Sequence, residues 1–389
     1  MSAWPRVCLK DVSESVTYGY TDSATKDNIG PHFLRITDIV PDQIDWKAVP
    51  YCHADDKAYA KYRLSPGDIV VARTGATVGY AKLIREEVKS VFASYLVKIK
   101  VNTRLADPFF VGRVVESNLY KKYVMRNVNG AAQPNASAPI LAGFEFSLPS
   151  LPVQHRIASI LSDYDSAIAN ARKQIELLEE AAMRLYREWF DGVECEETIE
   201  GVVKEIESGS RPKGGAQNSG IPSIGAEKID GVGRYDFSGE KFISEDFFAK
   251  MKRGVLRSED ILVYKDGAYC GKVSMSIDSF PHERAAVNEH VFILRAPKRT
   301  AFVYCFLRQE KTYRLLNMLA KKKAAQPGLN QDDMLGINVP FVDAEKAELF
   351  EGSVMPMMHR IATLGKQIRK LTEARDRLLP KLMSGEVAI

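Results

Sequence analysis

Residues 64–84 read LSPGDIVVARTGATVGYAKLI, and residues 256–276 read LRSEDILVYKDGAYCGKVSMS. Asp68 and Asp260, Ile69 and Ile261, Gly75 and Gly267, and Gly79 and Gly271 fall in step. Each stretch is a short apolar run followed by a glycine-bearing turn, the pattern of a strand entering a tight loop. The surroundings repeat as well. Upstream, GPHFLRITDI (30–39) is answered by GIPSIGAEKI (220–229). Downstream, FFVGRVVESNLYKKYVMRN (109–127) is answered by FVYCFLRQEKTYRLLNMLAKKK (302–323), with Tyr120 matching Tyr313. Each of these runs into the tetrapeptide AAQP, at 131–134 and at 324–327. The same blocks in the same order, at a nearly constant offset, make the chain two copies of one design.

A long helix follows each copy. In the first, Leu161, Tyr164, Ile168, Ala171, Ile175, Leu178, Ala182, Leu185 and Trp189 alternate spacings of three and four, the a/d pattern of a coiled-coil seam. In the second, Val354, Met357, Ile361, Leu364, Ile368, Leu371, Arg375, Leu378 and Leu382 do the same, with Arg375 the one break in the apolar seam. Pro356 is expected to kink the second helix or to mark its true beginning. Two narrow seams in one chain most simply pack on each other, giving an antiparallel rod on the order of 40 Å with a globular domain at either end. The bland alternative is that each helix packs on its own domain, and an unbroken four-heptad seam exceeds what that needs. Short β-rich runs (DIVVAR, YLVKIKV, DILVYK, HVFILRA) make the globular halves mixed in character. The expected fold is therefore α+β: two duplicated mixed α/β domains, at 1–150 and 194–340, joined by two long helices, at 151–193 and 341–389, in an antiparallel coiled coil with a pseudo-twofold repeat.

Bulk properties exclude several classes. At 389 residues, with 45% hydrophobic and 27% charged residues, the composition is that of an ordinary globular protein. Five scattered cysteines make no CxxC site and no disulfide framework, as in a reducing compartment. The N-terminus MSAWPRVCLKDVSES has no apolar leader, and no apolar run spans a bilayer. A soluble, cytoplasmic protein without membrane contact is the expectation.

Self-sufficient chemistry is not legible. GAYCGKV (267–273) has three residues between its glycines rather than four, and Val273 stands where a phosphate loop needs Ser or Thr. The six histidines show no ligand spacing, so no metal site is expected. GSRPKGGAQNSG (209–220) lacks the GxGxxG arrangement of a dinucleotide site and reads as a mobile polar loop. There is no GxSxG elbow and no Asp-Pro-Pro-Tyr-like methyltransferase tetrapeptide. The chain is read as non-enzymatic, with no cofactor of its own.

Basic residues concentrate in the globular halves. Residues 1–150 carry 19 Lys and Arg against 15 Asp and Glu, whereas 151–193 carry 5 against 7. Basic heads on an acidic rod place nucleic-acid affinity on the heads. Candidate phosphate contacts are Arg211 and Lys213 in the glycine-rich loop, Lys265 and Lys272 at the turn, and Lys322 before the second AAQP. Arg73 holds the place of Lys265 in the first copy, and Arg35 and Lys228 lie in the paired blocks at 30–39 and 220–229. Asn129, Gln133 and Gln326 are amides of the kind that read an adenine edge. For each of these alone the simpler reading is a solvated surface side chain.

In its duplicated order, the chain resembles the specificity subunit of a type I restriction-modification system. The resemblance covers essentially the whole length. It rests on WPRVCLKDV, LSPGDIVVARTG and RSEDILVYKDG, on GAAQPN followed by LPSLPVQHRIASILSDYDSAI, and on the C-terminal LTEARDRLLPKLMSGEV. It implies that each half is a target-recognition domain reading one part of a split double-stranded DNA sequence. It implies helices that fix the spacing and dock two methyltransferase (modification) subunits, with endonuclease/translocase (restriction) subunits joining for cleavage. S-adenosylmethionine, ATP and magnesium then belong to those partners. Because the halves differ in sequence, the target is expected to be gapped and asymmetric. The second copy departs at PFVDAEKAELFEGSVMP (340–356), which lacks counterparts of Gln154 and Asp165, so the two ends of the rod are not expected to meet partners identically. Two rival readings are a two-headed coiled-coil scaffold without a DNA role and a self-contained DNA methyltransferase or nuclease. Salt-dependent DNA binding separates the first, and cofactor binding by the isolated chain separates the second.

Overall fold

Ile69, Val70, Val71 and Ala72 are all fully buried, so this run has no solvent face and needs sheet neighbours on both sides and cover above and below. The computed structural model describes residues 4–128, 134–321 and 327–387. It divides into two compact units, Met1–Asp165 with Ala374–Ile389, and Ser166–Glu373.

The strands of the first unit are β1 (Arg6–Cys8), β2 (Ser13–Tyr18), β3 (His32–Leu34), β4 (Ile69–Ala72), β5 (Ala81–Leu83), β6 (Ser90–Phe92), β7 (Leu96–Val101) and β8 (Glu145–Ser147). Its short helices are α1 (Ile36–Ile39), α2 (Asp56–Tyr62), α3 (Pro108–Val115), α4 (Asn118–Asn127) and α5 (Ala138–Ala142). An antiparallel sheet runs β2-β7-β4-β5, which puts the buried run of β4 inside it. A parallel pair, β3-β6, lies beside it, and β8 returns to pair with β1 just before α6 (Leu151–Phe190) begins.

The second unit follows the same plan. Its strands are β9 (Glu197–Thr198), β10 (Glu205–Ser208), β11 (Ile221–Ile224), β12 (Phe242–Ile243), β13 (Asp260–Tyr264), β14 (Val273–Ser276), β15 (Ala286–Val287), β16 (Val291–Arg295) and β17 (Asn338–Val339). The helices are α7 (Ile199–Val202), α8 (Glu245–Lys250), α9 (Thr300–Leu307), α10 (Glu310–Lys321), α11 (Gln331–Leu335) and then α12 (Ala344–Ser384). The antiparallel sheet is β10-β16-β13-β14, the parallel pair is β11-β15 with β12 added, and β17 closes on β9. One register differs from the reading by matched tyrosines. Gly79 leaves room for Val124, and Gly271 for Leu316. Four residues before these stand Tyr120 and Thr312, both buried. Thr312, not Tyr313, therefore takes the place of Tyr120.

The long helices pair antiparallel. In the first unit Leu161 and Leu382 share a core, with Leu378 half-buried on it. In the second, Ile175, Ile361 and Leu364 share a core, with Leu178, Leu185 and Ile368 half-buried against it. Ile168 is buried and Leu371 half-buried. Lys346 Nζ reaches the Trp189 carbonyl at 3.0 Å, so the start of α12 meets the end of α6. Pro356 lies inside α12 and not at its start. Having no N–H, it leaves the Gly352 carbonyl without its usual helical donor.

The helix α6 forms more than a seam. Tyr186 and Phe190, each next to a seam position, are also buried, with rings 5.8 and 5.0 Å from Phe302 of α9. A helix that packs on both a partner helix and its own domain spreads its apolar stripe beyond a/d. Both packings set apart in the sequence reading thus occur together in the second unit.

The polar break in the seam is matched. Arg375 Nη1 lies 2.9 Å from Asp165 Oδ1. Asp165 also pairs with Arg113 and lies 3.8 Å from Arg85, and Glu116 contacts Arg85 at 3.0 Å. Burial, with Arg85 beside it, pushes Arg113 down to about 10. Gln154 is likewise turned inward: its Oε1 accepts the Asp107 N–H (2.8 Å) and its Nε2 donates to the Pro149 carbonyl (2.7 Å). At the corresponding positions of α12 stand Ala347 and Met358, both buried. One turn later, Glu351 accepts the N–H groups of Ala301 and Phe302 at the start of α9, both at 2.9 Å. The difference between the copies at these positions is thus one of internal packing.

Candidate nucleic-acid interface

The glycine turn of each copy is held by the same backbone bonds. In the first unit Gly75 N–H donates to the Pro134 carbonyl (3.0 Å), Arg73 N–H to Tyr95 (3.1 Å), and Ala136 N–H to Arg73 (2.7 Å). In the second, Gly267 N–H donates to Pro327 (3.0 Å), Lys265 N–H to His290 (2.9 Å), and Leu329 N–H to Lys265 (3.0 Å). The proline that ends each AAQP is therefore a fixed point of the turn. Arg73 and Lys265, pinned on both sides, project their cations from equivalent places.

The cations differ in their surroundings. The Arg73 guanidinium lies 4.7 Å over the Tyr18 ring and donates to Asn135 Oδ1 at 3.1 Å, and its buried Nε has no hydrogen-bond partner among the described residues. Lys265 Nζ reaches the Glu289 carbonyl (3.3 Å) and Asp266 (3.6 Å) and lies 5.2 Å over the Phe292 ring. Arg211 Nε meets Glu289 Oε1 at 3.0 Å, and His290 lies between Glu289 (3.3 Å) and Asp266 (3.2 Å). Arg211 and Lys265 are thereby brought to one cluster through Glu289. Lys272 pairs with Asp230 (3.0 Å) and lies 5.0 Å over the Tyr269 ring. Lys213 is exposed in its loop.

Two cations are committed locally. Arg35 is held by Asp38 through Nε (3.0 Å) and Nη2 (2.9 Å), and that hydrogen bonding raises its pKa. It keeps only its remaining N–H groups for another ligand. Lys228 leaves the candidate surface: it is buried, with Nζ donating to the Ser238 carbonyl (2.5 Å) and to Asp236 (3.3 Å). A lysine whose ammonium is used inside the fold cannot also reach a phosphate. Asn129, Gln133, Lys322 and Gln326 lie outside the described residues.

Several neighbours of these cations escaped the sequence reading. Tyr18 ends a strand and Asn135 follows AAQP, but nothing in the sequence joins them to Arg73 across the fold. Beside the second turn an open groove of about 670 Å³ is lined by Ala268, Tyr269, Tyr313, Arg314, Asn317 and Lys321. In the first unit the turn meets α4 differently, with Lys121 Nζ 3.5 Å over the Tyr80 ring. Cations resting on aromatic faces beside pinned turns suit the holding of a polyanion and the stacking of flat groups. Among the described residues no cluster of His, Cys, Asp or Glu converges as a metal site, and no helix is long and apolar enough to cross a membrane.

Residues 1–180 match the family model of the type I restriction modification DNA specificity domain. The chain is 24% identical over 358 residues to the type I restriction enzyme MjaIX specificity subunit of Methanocaldococcus jannaschii, covering 84% of this chain and 79% of that protein. It is 23% identical over 348 residues to the MjaVIII specificity subunit of the same organism, covering 84% and 80%. Its fold is shared with the crystal structure of a type-I restriction-modification system S subunit from M. genitalium, with a TM-score of 0.61 at 15% identity over 98% of this chain and 96% of that one. Over residues 1–180, and more distantly along most of its length, the chain is thus similar to the DNA specificity subunits of type I restriction-modification systems.

Proposed function

We propose that this chain reads a gapped, asymmetric double-stranded DNA sequence, one part with each repeated domain, within a type I restriction-modification complex. The helices α6 and α12 set the spacing between the two parts and dock two methyltransferase subunits. Endonuclease/translocase subunits join for cleavage, and S-adenosylmethionine, ATP and magnesium are held by the partners, all in the cytoplasm. The specificity subunit chooses the site and leaves bond-making to the others.

One observation carries this reading. The same turn, pinned by the same backbone bonds, presents a cation in each domain, yet the side chains around it differ: Tyr18 and Asn135 about Arg73, Glu289 and Asp266 about Lys265. One frame with two different surfaces is what a two-part, asymmetric target requires. The test is a map of adenine methylation in host DNA with the gene intact and deleted. The expected result is loss of methylation at one gapped, asymmetric motif. Unchanged methylation, together with DNA binding by the assembled complex that is indifferent to salt, would overturn the proposal.

A further inference from the structure

The repeat places one more pair of segments in equivalent positions: residues 20–29, YTDSATKDNI, and residues 210–219, SRPKGGAQNS. Each leaves the edge strand of its four-stranded sheet, β2 or β10, and enters the first strand of its parallel pair, β3 or β11. Glycines frame both. A side chain at Gly19 or Gly209 would collide with the backbone carbonyl of Ala93 or Val287, and one at Gly30 or Gly220 with that of Cys52 or Ile243. Each loop is tied to its own domain by a two-way backbone bridge, Thr25 with Tyr51 (2.8 Å both ways) and Gln217 with Phe242 (2.8 and 3.1 Å). Between these fixed points most side chains face solvent. At equal spacing from the closing glycine, the two loops share only Asn28 and Asn218.

Their charge is opposite in sign. The first loop sets Lys26 against Asp22 and Asp27, whereas the second has Arg211 and Lys213 and no acid. The Arg211–Glu289 pair puts the second loop beside Lys265 and the glycine turn. A rigid frame with free contents lets a domain change what it touches without changing its fold. We propose that residues 20–29 and 210–219 are the specificity loops of the two domains. The second grips DNA phosphates through Arg211 and Lys213, and the first makes its contacts by hydrogen bonding with little phosphate attraction. This rests on the two-part DNA reading above.

The test uses the complete complex. Residues 210–219 are replaced by the sequence of 20–29, and DNA methylation is mapped beside the unaltered protein. The expected result is a changed or degenerate motif part for the second domain, with the part read by the first domain unchanged. Alongside it, Arg211→Ala with Lys213→Ala is assayed for binding to the natural target at rising salt. The log–log salt slope is expected to fall by about 1.8, or 0.9 per lost phosphate contact. The matching substitution of Lys26→Ala is expected to leave the slope within about 0.5 of the unaltered value. An unchanged motif in the loop replacement, or an unchanged slope in an assembled double variant, overturns the loop proposal. Absence of any two-part motif in the unaltered protein overturns the underlying reading instead.

Discussion

The two units hold their long helices by different means. In the first, a charged cluster joins Asp165 of α6 to Arg113, Arg85 and Arg375, and the amide of Gln154 caps the approach to α3. In the second, Glu179 of α6 pairs with Arg308 and Arg234, and the carboxylate of Glu351 caps α9. Neither acid nor cap occupies the same repeat position as its counterpart. Sheet order, closing strands and turn bonds are nonetheless the same. The repeat is thus preserved in its backbone ladders and apolar core, while of the polar ties the cap moves one turn along its helix and the acid passes to the other helix of the pair. A hydrogen-bond ladder depends on every strand residue, whereas a tie needs only one acid or amide that reaches an unpaired donor.

The comparison is broken most sharply at Asp165. Asp165→Ala takes from Arg113, whose side chain is only 13% exposed, one of its two acids, and leaves it with Glu116 at 3.5 Å next to two further arginines. It is expected to cost the first unit about 2–3 kcal/mol, below the full penalty for an unpaired buried charge, seen as an early transition in urea unfolding followed by probes in that unit. A single unshifted transition would show that the cluster is not what ties α12 to the first unit.

The two caps offer a finer contrast, because one titrates and the other does not. Burial raises the Glu351 pKa above its ordinary value of 4.5, outweighing the two N–H bonds that lower it. A raised folded value means that the fold prefers the protonated acid. Its contribution is fully present below the ordinary value and is lost as pH rises through the folded one. The stability difference between the natural protein and Glu351→Gln should therefore shrink as pH rises above 4.5. Gln154→Ala should cost about 2 kcal/mol with no such pH dependence. Parallel unfolding curves for natural protein and Glu351→Gln at all pH values would contradict the account.

The smallest effect belongs to the register of the α4 and α10 blocks. Tyr120 is fully buried and its hydroxyl donates to the Leu141 carbonyl at 2.9 Å. Tyr120→Phe should cost about 1 kcal/mol in thermal unfolding. Tyr313→Phe, at a position without that burial, should cost nothing measurable. Equal losses would restore the pairing of the two tyrosines.

Much of the architecture was legible because it repeats. The 3–4 spacing of Leu161 to Trp189 and of Val354 to Leu382, and the echo of 64–84 in 256–276, define two helices and two copies without reference to space. Seam residues such as Ile175 and Ile361 are found buried because periodicity encodes a face. The candidate surface was far less legible. Lys228 reads like any other lysine, and only the carbonyl of Ser238 and the carboxylate of Asp236 turn it inward. Arg375 reads as a flaw in a seam until Asp165 is brought opposite it.

The sequence by itself determined the duplication, the helix seams and the order of blocks, since these are patterns of local period and internal likeness. Only the tertiary structure decided which cations remain free, which acids tie the helices and which loops occupy equivalent places. Those outcomes depend on partners distant in the chain, such as Arg211 with Glu289 or Glu351 with Ala301. No spacing rule encodes such encounters. They exist only once burial makes an unmatched charge or donor too costly to leave alone.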